Sequence, residues 1–289
     1  MYLYNLPDSQ KEFPLHRFLG FPQEGITVQE STSPLTLAVV LDTETTGLDT
    51  AQDEIIEVAA RQVFYDKSSG VVCRIGPAFQ ALQQPAHPLS EDLQRITGLT
   101  DEILVGQSID WNAFADFCSG AQLFIAHNAG FDRPFVDRFS VATRSSFWAC
   151  SLSQIPWFDW FPVAKQEVLT VFHGFFYAGH RALIDVDALI KMLCLSQPDH
   201  PDQSYFSTLI SNARKPYVHI SAIRSPFETK DVLKAHKYRW NADKKVWQKT
   251  VPVDLLDEET AFLAEQVYPS GQCEAEITHI PVRDNFKPV

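Results

Sequence analysis

The sequence lacks the features that place a chain in a membrane or in a disulfide-rich secreted class. No stretch approaches the roughly 18 uninterrupted apolar residues that a membrane-spanning helix needs, so no membrane partner is expected. Its first residues show no basic segment followed by an apolar core, and this pattern predicts no cleaved secretion signal. The five cysteines are odd in number and irregularly spaced, which argues against a disulfide framework and a CxxC-type zinc site. A reducing, cytoplasmic setting is therefore the expectation.

The composition is that of an ordinary globular protein. Of the 289 residues, 45% are hydrophobic and 21% are charged, which disfavours disorder, collagen and coiled coil. At about 150 residues per domain, this length predicts one or two domains.

Charge is distributed unevenly along the chain. The formal net charge is −12, yet residues 212–250 hold ten Lys and Arg against three Asp and Glu. A basic segment on an acidic chain is a candidate site for a polyanion. The alternative, a solvated helix and hairpin face, stays open at this point.

The hydrophobic pattern predicts an antiparallel start, followed by strands that alternate with helices. The predicted strands are Leu35–Leu41, Glu54–Tyr65, Val71–Gln80, Leu123–Ala126 and Phe147–Ser151. The predicted helices after the third strand include Arg133–Ala142, with Pro134 in its first turn, and Ala182–Leu195. This order is typical of an α/β domain with a mixed sheet flanked by helices.

Two carboxylates close the first predicted strand. Side chains alternate along a strand, so Asp42 and Glu44 point to the same face. Carboxylates side by side at a buried strand end repel each other unless a cation lies between them, and a divalent metal with oxygen ligands suits that position. A simple pair of acids in the turn that leads to Gly47 is the alternative.

Two further segments carry chemistry-bearing residues in similar settings. Asp132 follows a short apolar strand and a turn, where it could instead be the N-cap of the next helix. His180 precedes a helix with Asp185 near its start, and a lone histidine is more often structural. Taken together, the four acids suit a pair of Mg²⁺ or Mn²⁺ ions, with His180 as a group of near-neutral pKa that accepts a proton from water.

The three segments LDTETTGL, AHNAGFD and HRALID resemble, in that order, the exonuclease motifs of the DEDDh branch of the DnaQ-like 3′→5′ exonucleases. This group includes the proofreading ε subunit of bacterial DNA polymerase III, RNase T and oligoribonuclease. The resemblance spans roughly residues 35–195 and implies an RNase H-like fold. A related branch has a tyrosine four residues before the final acid, whereas position 181 here is Arg.

The resemblance also implies a role for each motif residue. Asp42 would bridge two metal ions, Glu44 would hold one, Asp132 would orient the second and Asp185 would complete the site. His180 would be the general base. Thr45 and Leu48 would lie against the terminal nucleotide. The side of the scissile bond would be lined by His127, Asn128 and Phe131. Asp137, His173 and Asp187 match no motif position and are interpreted as structural.

The sequence therefore predicts five segments. They are an N-terminal arm (1–34), the DEDDh exonuclease domain (35–197), a linker with a short helix (198–213), a small basic α+β module (214–268) and a tail (269–289). Lysines and arginines around Trp240 and Trp247 of the module predict either substrate tethering or docking of a partner.

The expected function is metal-dependent 3′→5′ hydrolysis of single-stranded DNA, with RNA as second choice, to nucleoside 5′-monophosphates. Nothing in the motifs separates the two polymers. The alternative is a binding or scaffolding subunit of a polymerase or repair complex that retains the nuclease fold. A secreted effector nuclease is a further alternative.

Overall fold

Contacts divide the chain into two compact units in the computed structural model, which describes residues 14–288. The first unit reaches to Ala213 and includes Phe286–Pro288, and the second runs from Arg214 to Asn285. Across this described range, every helix is too short or too polar to cross a bilayer.

The strands of the first unit form a six-stranded mixed sheet and a separate two-stranded pair. Their bounds are β1 (His16–Arg17), β2 (Ile26–Thr27), β3 (Leu35–Thr45), β4 (Ile55–Asp66), β5 (Val72–Leu82), β6 (Leu123–Ala126), β7 (Phe147–Cys150) and β8 (Phe175–Phe176). In the large sheet the order is β2-β5-β4-β3-β6-β7. Neighbours from β2 to β3 run antiparallel, and β6 and β7 continue parallel to β3. The predicted mixed sheet is confirmed.

Nine helices of the first unit surround this sheet within the described residues. Their bounds are α1 (Glu91–Thr97), α2 (Asp101–Leu104), α3 (Trp111–Phe117), α4 (Ala129–Asp137), α5 (Val141–Arg144), α6 (Ser151–Gln154), α7 (Gln166–Phe172), α8 (Ala182–Leu193) and α9 (Tyr205–Ala213).

Alternation along β3 supplies a hydrophobic core on each face of the sheet. Ala38 and Val40 lie in the cluster that contains the buried side of α8, whereas Val39 and Leu41 lie in the cluster with Phe135 of α4. Because side chains two residues apart share a face, this pattern directs residues 42 and 44 toward the α8 side.

Helix α4 begins earlier than the sequence predicts. It starts at Ala129, after Asn128 in the left-handed conformation (φ 80°), and Pro134 lies inside it rather than at its first turn. The N-cap interpretation of Asp132 is therefore wrong. Burial of Phe135 and Val136 against the sheet explains why the helix tolerates a proline that removes one backbone donor.

A buried ion pair ties the predicted N-terminal arm to the sheet and to α8. Arg61 of β4 and Asp187 of α8 are 0% and 2% exposed, and Arg61 Nε lies 2.6 Å from Asp187 Oδ1. The Arg61 guanidinium also donates to the carbonyl of Pro22, and the Phe21 backbone N–H donates to Asp187. The arm's first 13 residues lie outside the described part of the chain.

The second unit is a four-stranded antiparallel sheet covered on one face by helices. Its elements are β9 (Tyr217–Ala222), α10 (Lys230–Ala235), β10 (Arg239–Asn241), β11 (Val246–Pro252), α11 (Leu256–Gln266) and β12 (Glu276–Ile280), with strand order β10-β11-β9-β12. Val218, Ile220 and Ala222 pack against Leu233 of α10 and Leu263 of α11.

Two segments that the sequence predicts to lie outside the two domains form part of the folded units. Helix α9 is the short helix of the predicted 198–213 segment, and its Tyr205 and Phe206 are buried in the first unit. The predicted tail contains β12, which pairs along the whole of its length with β9. Pairing satisfies the backbone groups of β9, which would otherwise be a sheet edge.

Replacing Asp187 with Asn should lower the free energy of unfolding by about 3–5 kcal/mol, because the Arg61 guanidinium would stay buried without its counter-charge. Urea unfolding of the full chain, followed by circular dichroism, measures the loss. The control is Asp92→Asn, which breaks the exposed Arg95–Asp92 pair and should cost less than about 1 kcal/mol. Equal losses in the two variants would contradict the assignment.

Candidate active site

Strand β3 directs two carboxylates toward α8. Asp42 and Glu44 continue the face that carries Ala38 and Val40, and both acids are half-buried. The pairing register between β3 and β4 shifts between Glu44 and Thr45, so the pairing of the two strands becomes irregular directly after Glu44. The prediction that the two acids share a face follows from the same alternation.

Helix α8 brings a third carboxylate to this place. Asp185 lies in the first turn of α8, where its Oδ1 accepts a hydrogen bond from the Tyr177 hydroxyl (2.9 Å) and its Oδ2 accepts one from the Arg181 backbone N–H (3.1 Å). One carboxylate oxygen from each of Asp42, Glu44 and Asp185 lies within 4.8 Å of the others. Three such oxygens fit a hard divalent cation such as Mg²⁺ or Mn²⁺.

Asp132 approaches from the other side of β3. Its side chain is 2% exposed, and its Oδ1 accepts from the backbone N–H (3.1 Å) and the hydroxyl (2.8 Å) of Thr43. Thr43 stands between Asp42 and Glu44, so this contact places Asp132 beside the three-oxygen cluster without making it a member.

Crowding of these acids disfavours their charged forms. Burial, together with the negative charges of Asp132, Asp185 and Glu44, raises the pKa of Asp42 well above its usual range. Burial and the neighbouring carboxylates raise the pKa of Glu44 to about 8. Burial raises the pKa of Asp132 to about 7, although the Thr43 hydrogen bonds oppose the shift. A cation would relieve this repulsion, so the donor set fits a metal site.

A fifth carboxylate, Glu57, is fully buried and lies directly opposite Glu44 in the strand register. Arg181 neutralises it through Nε and Nη2, each 3.1 Å from a Glu57 oxygen, and the Ala182 backbone N–H also donates to it. Glu57 therefore anchors the start of α8, which carries Asp185. The sequence analysis missed this residue, because its position depends on cross-strand register.

Tyr177 and Gln166 form a second support that the sequence analysis missed. The Gln166 side-chain amide donates to the Tyr177 hydroxyl and to the Asp185 carbonyl, both at 2.9 Å. Together with the Tyr177–Asp185 hydrogen bond, these contacts fix the orientation of the Asp185 carboxylate. No motif in the sequence signals either residue.

His180 precedes α8 in the left-handed conformation, with φ 66°. Its imidazole is half-exposed, and Nε2 lies 3.8 Å from Glu167 Oε1. The histidine is thus open to solvent near a carboxylate, five residues before Asp185. Glu167 is a further residue that no motif identifies.

The residues predicted to contact substrate differ in how far their side chains are exposed. Leu48 is 84% exposed, whereas the buried Thr45 donates its hydroxyl to the Gly47 carbonyl. Asn128 is exposed at the start of α4, and Phe131 packs against Phe135 with ring centroids 5.1 Å apart.

His127 is already engaged inside the protein. Its Nδ1 lies 2.8 Å from the Ser151 hydroxyl, and its Nε2 lies 2.9 Å from the Ala164 carbonyl. Burial lowers the pKa of His127 to about 4, so the ring is neutral at pH 7. Both ring nitrogens are thus taken up by contacts within the protein.

The three residues set aside as structural have partners elsewhere. Asp137 pairs with Arg133 of its own helix at 3.2 Å, and Asp187 pairs with Arg61. His173 Nδ1 lies 2.6 Å from the Leu169 carbonyl, and its Nε2 lies 3.0 Å from the Tyr205 hydroxyl.

Residues 39–143 match the model of the family described as Exonuclease. This segment of the chain is therefore similar to an exonuclease domain. The match supports the predicted recognition as a DnaQ-like exonuclease domain and the predicted nuclease class. The matched segment includes Asp42, Glu44 and Asp132, while His180 and Asp185 lie beyond it.

Much longer polymerases contain a segment that is similar to part of this chain. The chain is 36% identical over 102 residues to the PolC-type DNA polymerase III of Streptococcus pyogenes serotype M5 (strain Manfredo), and equally to that of serotype M1. The aligned segment is 34% of this chain and 6% of each relative. The chain thus spans a small fraction of the relatives that it matches.

Solved exonuclease structures are similar at low identity. Escherichia coli exonuclease I in complex with a dA16 oligonucleotide is 18% identical, with 76% of this chain and 63% of that chain covered and a TM-score of 0.49. Exonuclease X in complex with 5′ overhanging duplex DNA is 20% identical, with coverages of 61% and 86% and a TM-score of 0.35.

The carboxylate cluster predicts a trade-off between stability and metal binding. In metal-free protein, Asp42→Asn should raise the unfolding temperature by about 2–4 °C, as expected for relief of about 1 kcal/mol of repulsion in a unit of this size. Added Mg²⁺ or Mn²⁺ should stabilise the unsubstituted protein and leave the variant unchanged, because a ligand stabilises only the state that binds it. Differential scanning fluorimetry with EDTA and with each metal measures both effects.

The matched control for this prediction is Asp202→Asn, which removes the same charge from an exposed loop position. That variant should keep the metal-dependent shift. If Mg²⁺ and Mn²⁺ shifted the unfolding temperature of Asp42→Asn as much as that of the unsubstituted chain, the cluster would not be the metal site.

Proposed function

We propose that the protein is a 3′→5′ exonuclease that hydrolyses single-stranded DNA, with RNA as second choice, to nucleoside 5′-monophosphates. The observation that carries this proposal is the convergence of the Asp42, Glu44 and Asp185 oxygens within 4.8 Å of one another. Its support is the exonuclease family match, together with the motif order that resembles the DEDDh branch.

Asp42, Glu44 and Asp185 would hold a divalent cation, Mg²⁺ or Mn²⁺, and Asp132 beside them suits a second. When bound, such cations supply charge neutralisation for the phosphodiester and lower the pKa of water. The site's own part is to fix the carboxylates in advance, through the Tyr177–Asp185 and Thr43–Asp132 hydrogen bonds. Pre-set ligands avoid the cost of ordering them during the reaction.

His180 would act as the general base. Its imidazole accepts a proton from the water whose oxygen bonds to phosphorus, while the bond from phosphorus to the 3′ oxygen breaks. The leaving 3′ oxygen takes up a proton and becomes the new 3′ hydroxyl of the shortened strand. Glu167, 3.8 Å from Nε2, stabilises the imidazolium that forms.

The exposed residues near the cluster would position the terminal nucleotide. Leu48 is free to pack against the last base, and the Thr45 hydrogen bond to the Gly47 carbonyl shapes the turn that presents it. Asn128 and Phe131 would line the scissile side. His127 would support this wall through its internal hydrogen bonds.

A second candidate role is a nuclease-fold subunit of a polymerase or repair complex. The match to a segment of PolC-type polymerases favours it, because those relatives carry a matching segment in the same chain as a polymerase. Co-purification of a polymerase with the tagged full-length chain would support this role.

Degradation of 5′-labelled single-stranded DNA and RNA of matching sequence tests the main proposal. The expected result with Mg²⁺ or Mn²⁺ is a ladder that shortens from the 3′ end, and the faster polymer identifies the substrate class. EDTA and Asp42→Ala should each abolish the ladder, because both remove the metal site. Internal cuts, or shortening from the 5′ end, would refute the proposed polarity.

The general-base role predicts a loss in turnover without a loss in binding. His180→Asn should lower kcat by about 10²–10⁴-fold, since asparagine tolerates the left-handed backbone but titrates no proton. Affinity for single-stranded DNA, measured in EDTA, should stay unchanged. His200→Asn, at an exposed position away from the cluster, is the matched control, and a variant His180→Asn with near-normal kcat would exclude this base.

A further inference from the structure

The chain before β2 contacts the two elements that flank His180. Residues 16–22 form a strap that pairs with β8 and also contacts α8. An irregular loop of five residues joins β8 to α8, and this loop carries Tyr177 and His180. The strap therefore contacts the element before the loop and the element after it.

Backbone hydrogen bonds fix the strap to β8. The His16 N–H donates to the Gly174 carbonyl (3.0 Å), and the Phe18 N–H donates to the Phe176 carbonyl (2.8 Å). Within the described residues, β8 pairs with β1 and with no other strand. Because so short a strand is not stable by itself, the position of β8 depends on this pairing.

Ring contacts tie the strap and β8 to α8. The Phe18 ring meets the buried Phe175 ring edge to face, with centroids 5.9 Å apart. Lys191 of α8 places Nζ 4.5 Å from the Phe18 ring centroid and 4.4 Å from the Phe175 ring centroid. Attraction of one ammonium group to both rings holds the strap, β8 and α8 together.

A second contact joins the strap to α8 one turn before Lys191. Asp187 accepts a hydrogen bond from the Phe21 backbone N–H at 2.8 Å. Gly20 has φ 95°, and a Cβ added to it would lie 2.9 Å from Asp187 Oδ2. Glycine at position 20 therefore allows a close approach to the helix that a side chain would obstruct.

The loop that carries His180 is held at both of its ends. At the α8 end, the Arg181 backbone N–H donates to Asp185 Oδ2, and the Tyr177 hydroxyl donates to Asp185 Oδ1. At the β8 end, the Phe176 carbonyl accepts its hydrogen bond from the strap. His180 between these anchors has φ 66°, and a residue other than glycine keeps such a backbone only where its surroundings hold it.

We propose that the strap is a positioning element for the exonuclease site. It holds β8 against α8, and this keeps the Tyr177 hydroxyl on Asp185 and His180 in its left-handed conformation. The inference rests on the proposed function, in which His180 accepts a proton from water. Loss of the strap contacts would loosen the loop and leave Asp42 and Glu44 in place, because these two acids lie on the central strand β3.

Phe18→Ala in the full-length chain tests this role, because it removes the ring that contacts Phe175 and Lys191. The single-turnover rate of cleavage of 5′-labelled single-stranded DNA with Mg²⁺ should fall by about 10- to 100-fold, as for a displaced catalytic group. Affinity for the same DNA in EDTA should stay unchanged, because the loop acts on the chemical step and not on ground-state binding. A normal cleavage rate in this variant would overturn the proposal.

The matched control is Phe117→Ala. Phe117 is also half-buried and in ring contact, with its centroid 5.7 Å from that of Phe79, but it packs in the core on the opposite face of the sheet from α8. Both variants should lower the unfolding temperature, and only Phe18→Ala should slow cleavage. Equal losses of rate in the two variants would assign the effect to general destabilisation and overturn the proposal.

A pair of glycine variants tests the strap at a second point. Gly20→Ala and Gly120→Ala place a side chain at φ 95° and 81°, but a Cβ at position 120 has no atom of the other described residues within 4 Å apart from its chain neighbours. Backbone strain should lower the unfolding temperature of both variants. Only Gly20→Ala should also slow cleavage, and equal rates in the two would count against the proposal.

Hydrogen–deuterium exchange in EDTA reports on the loop without cleavage. The Arg181 amide, which donates to Asp185, should exchange faster in Phe18→Ala than in Phe117→Ala, because local opening of the loop becomes less costly. Equal exchange in the two variants would overturn the proposal. Absence of cleavage by the unsubstituted protein would count against the proposed nuclease, whereas the exchange difference would still show that the strap holds the loop.

Discussion

Like-charge crowding on one face of the central sheet is the constraint on which the architecture of the first unit depends. Asp42 and Glu44 on β3, Glu57 on β4 and Asp185 on α8 all face the same space. One of these charges is balanced within the protein, because Arg181 pairs with the fully buried Glu57. The remaining three keep raised pKa values, and a cation between them would relieve their repulsion. The fold thus neutralises the Glu57 carboxylate internally and keeps the carboxylates of Asp42, Glu44 and Asp185 close together.

Helix α8 links stability and chemistry through residues on different sides of one element. Arg181 at its start contacts Glu57, Asp185 in its first turn joins the carboxylate cluster, and Asp187 pairs with Arg61. The chain before β3 also contacts the Arg61–Asp187 pair. The Phe21 backbone N–H donates to Asp187, and the Pro22 carbonyl accepts from Arg61. A displacement of α8 would therefore disturb the buried ion pair and the cluster together, and this coupling holds Asp185 in register with β3.

The two units differ in the sign of the charged side chains that they group together. The first gathers carboxylates in a half-buried cluster that suits cations. The second displays Lys237 and Arg239 at exposed positions, and its half-buried Lys249 pairs with the buried Glu259.

The sequence by itself determined the features that depend on neighbours along the chain. Alternation on β3 placed Asp42 and Glu44 on one face, the apolar run at Leu123–Ala126 gave a strand with those same bounds, and the motif order indicated the family. What local pattern could not supply was cross-strand register and packing between distant segments. Glu57 is one of 36 acids with no motif around it, and only its pairing opposite Glu44 gives it a role.

Tertiary packing also decided where two elements begin and end. Pro134 favoured a late start for α4, but the helix begins at Ala129, which is buried along with Phe135 and Val136. The last residues carry too little apolar periodicity to predict a strand, yet β9 offers a free edge whose backbone groups β12 satisfies. Local propensity contributes tenths of a kcal/mol per residue, so burial and backbone pairing override it wherever the two disagree.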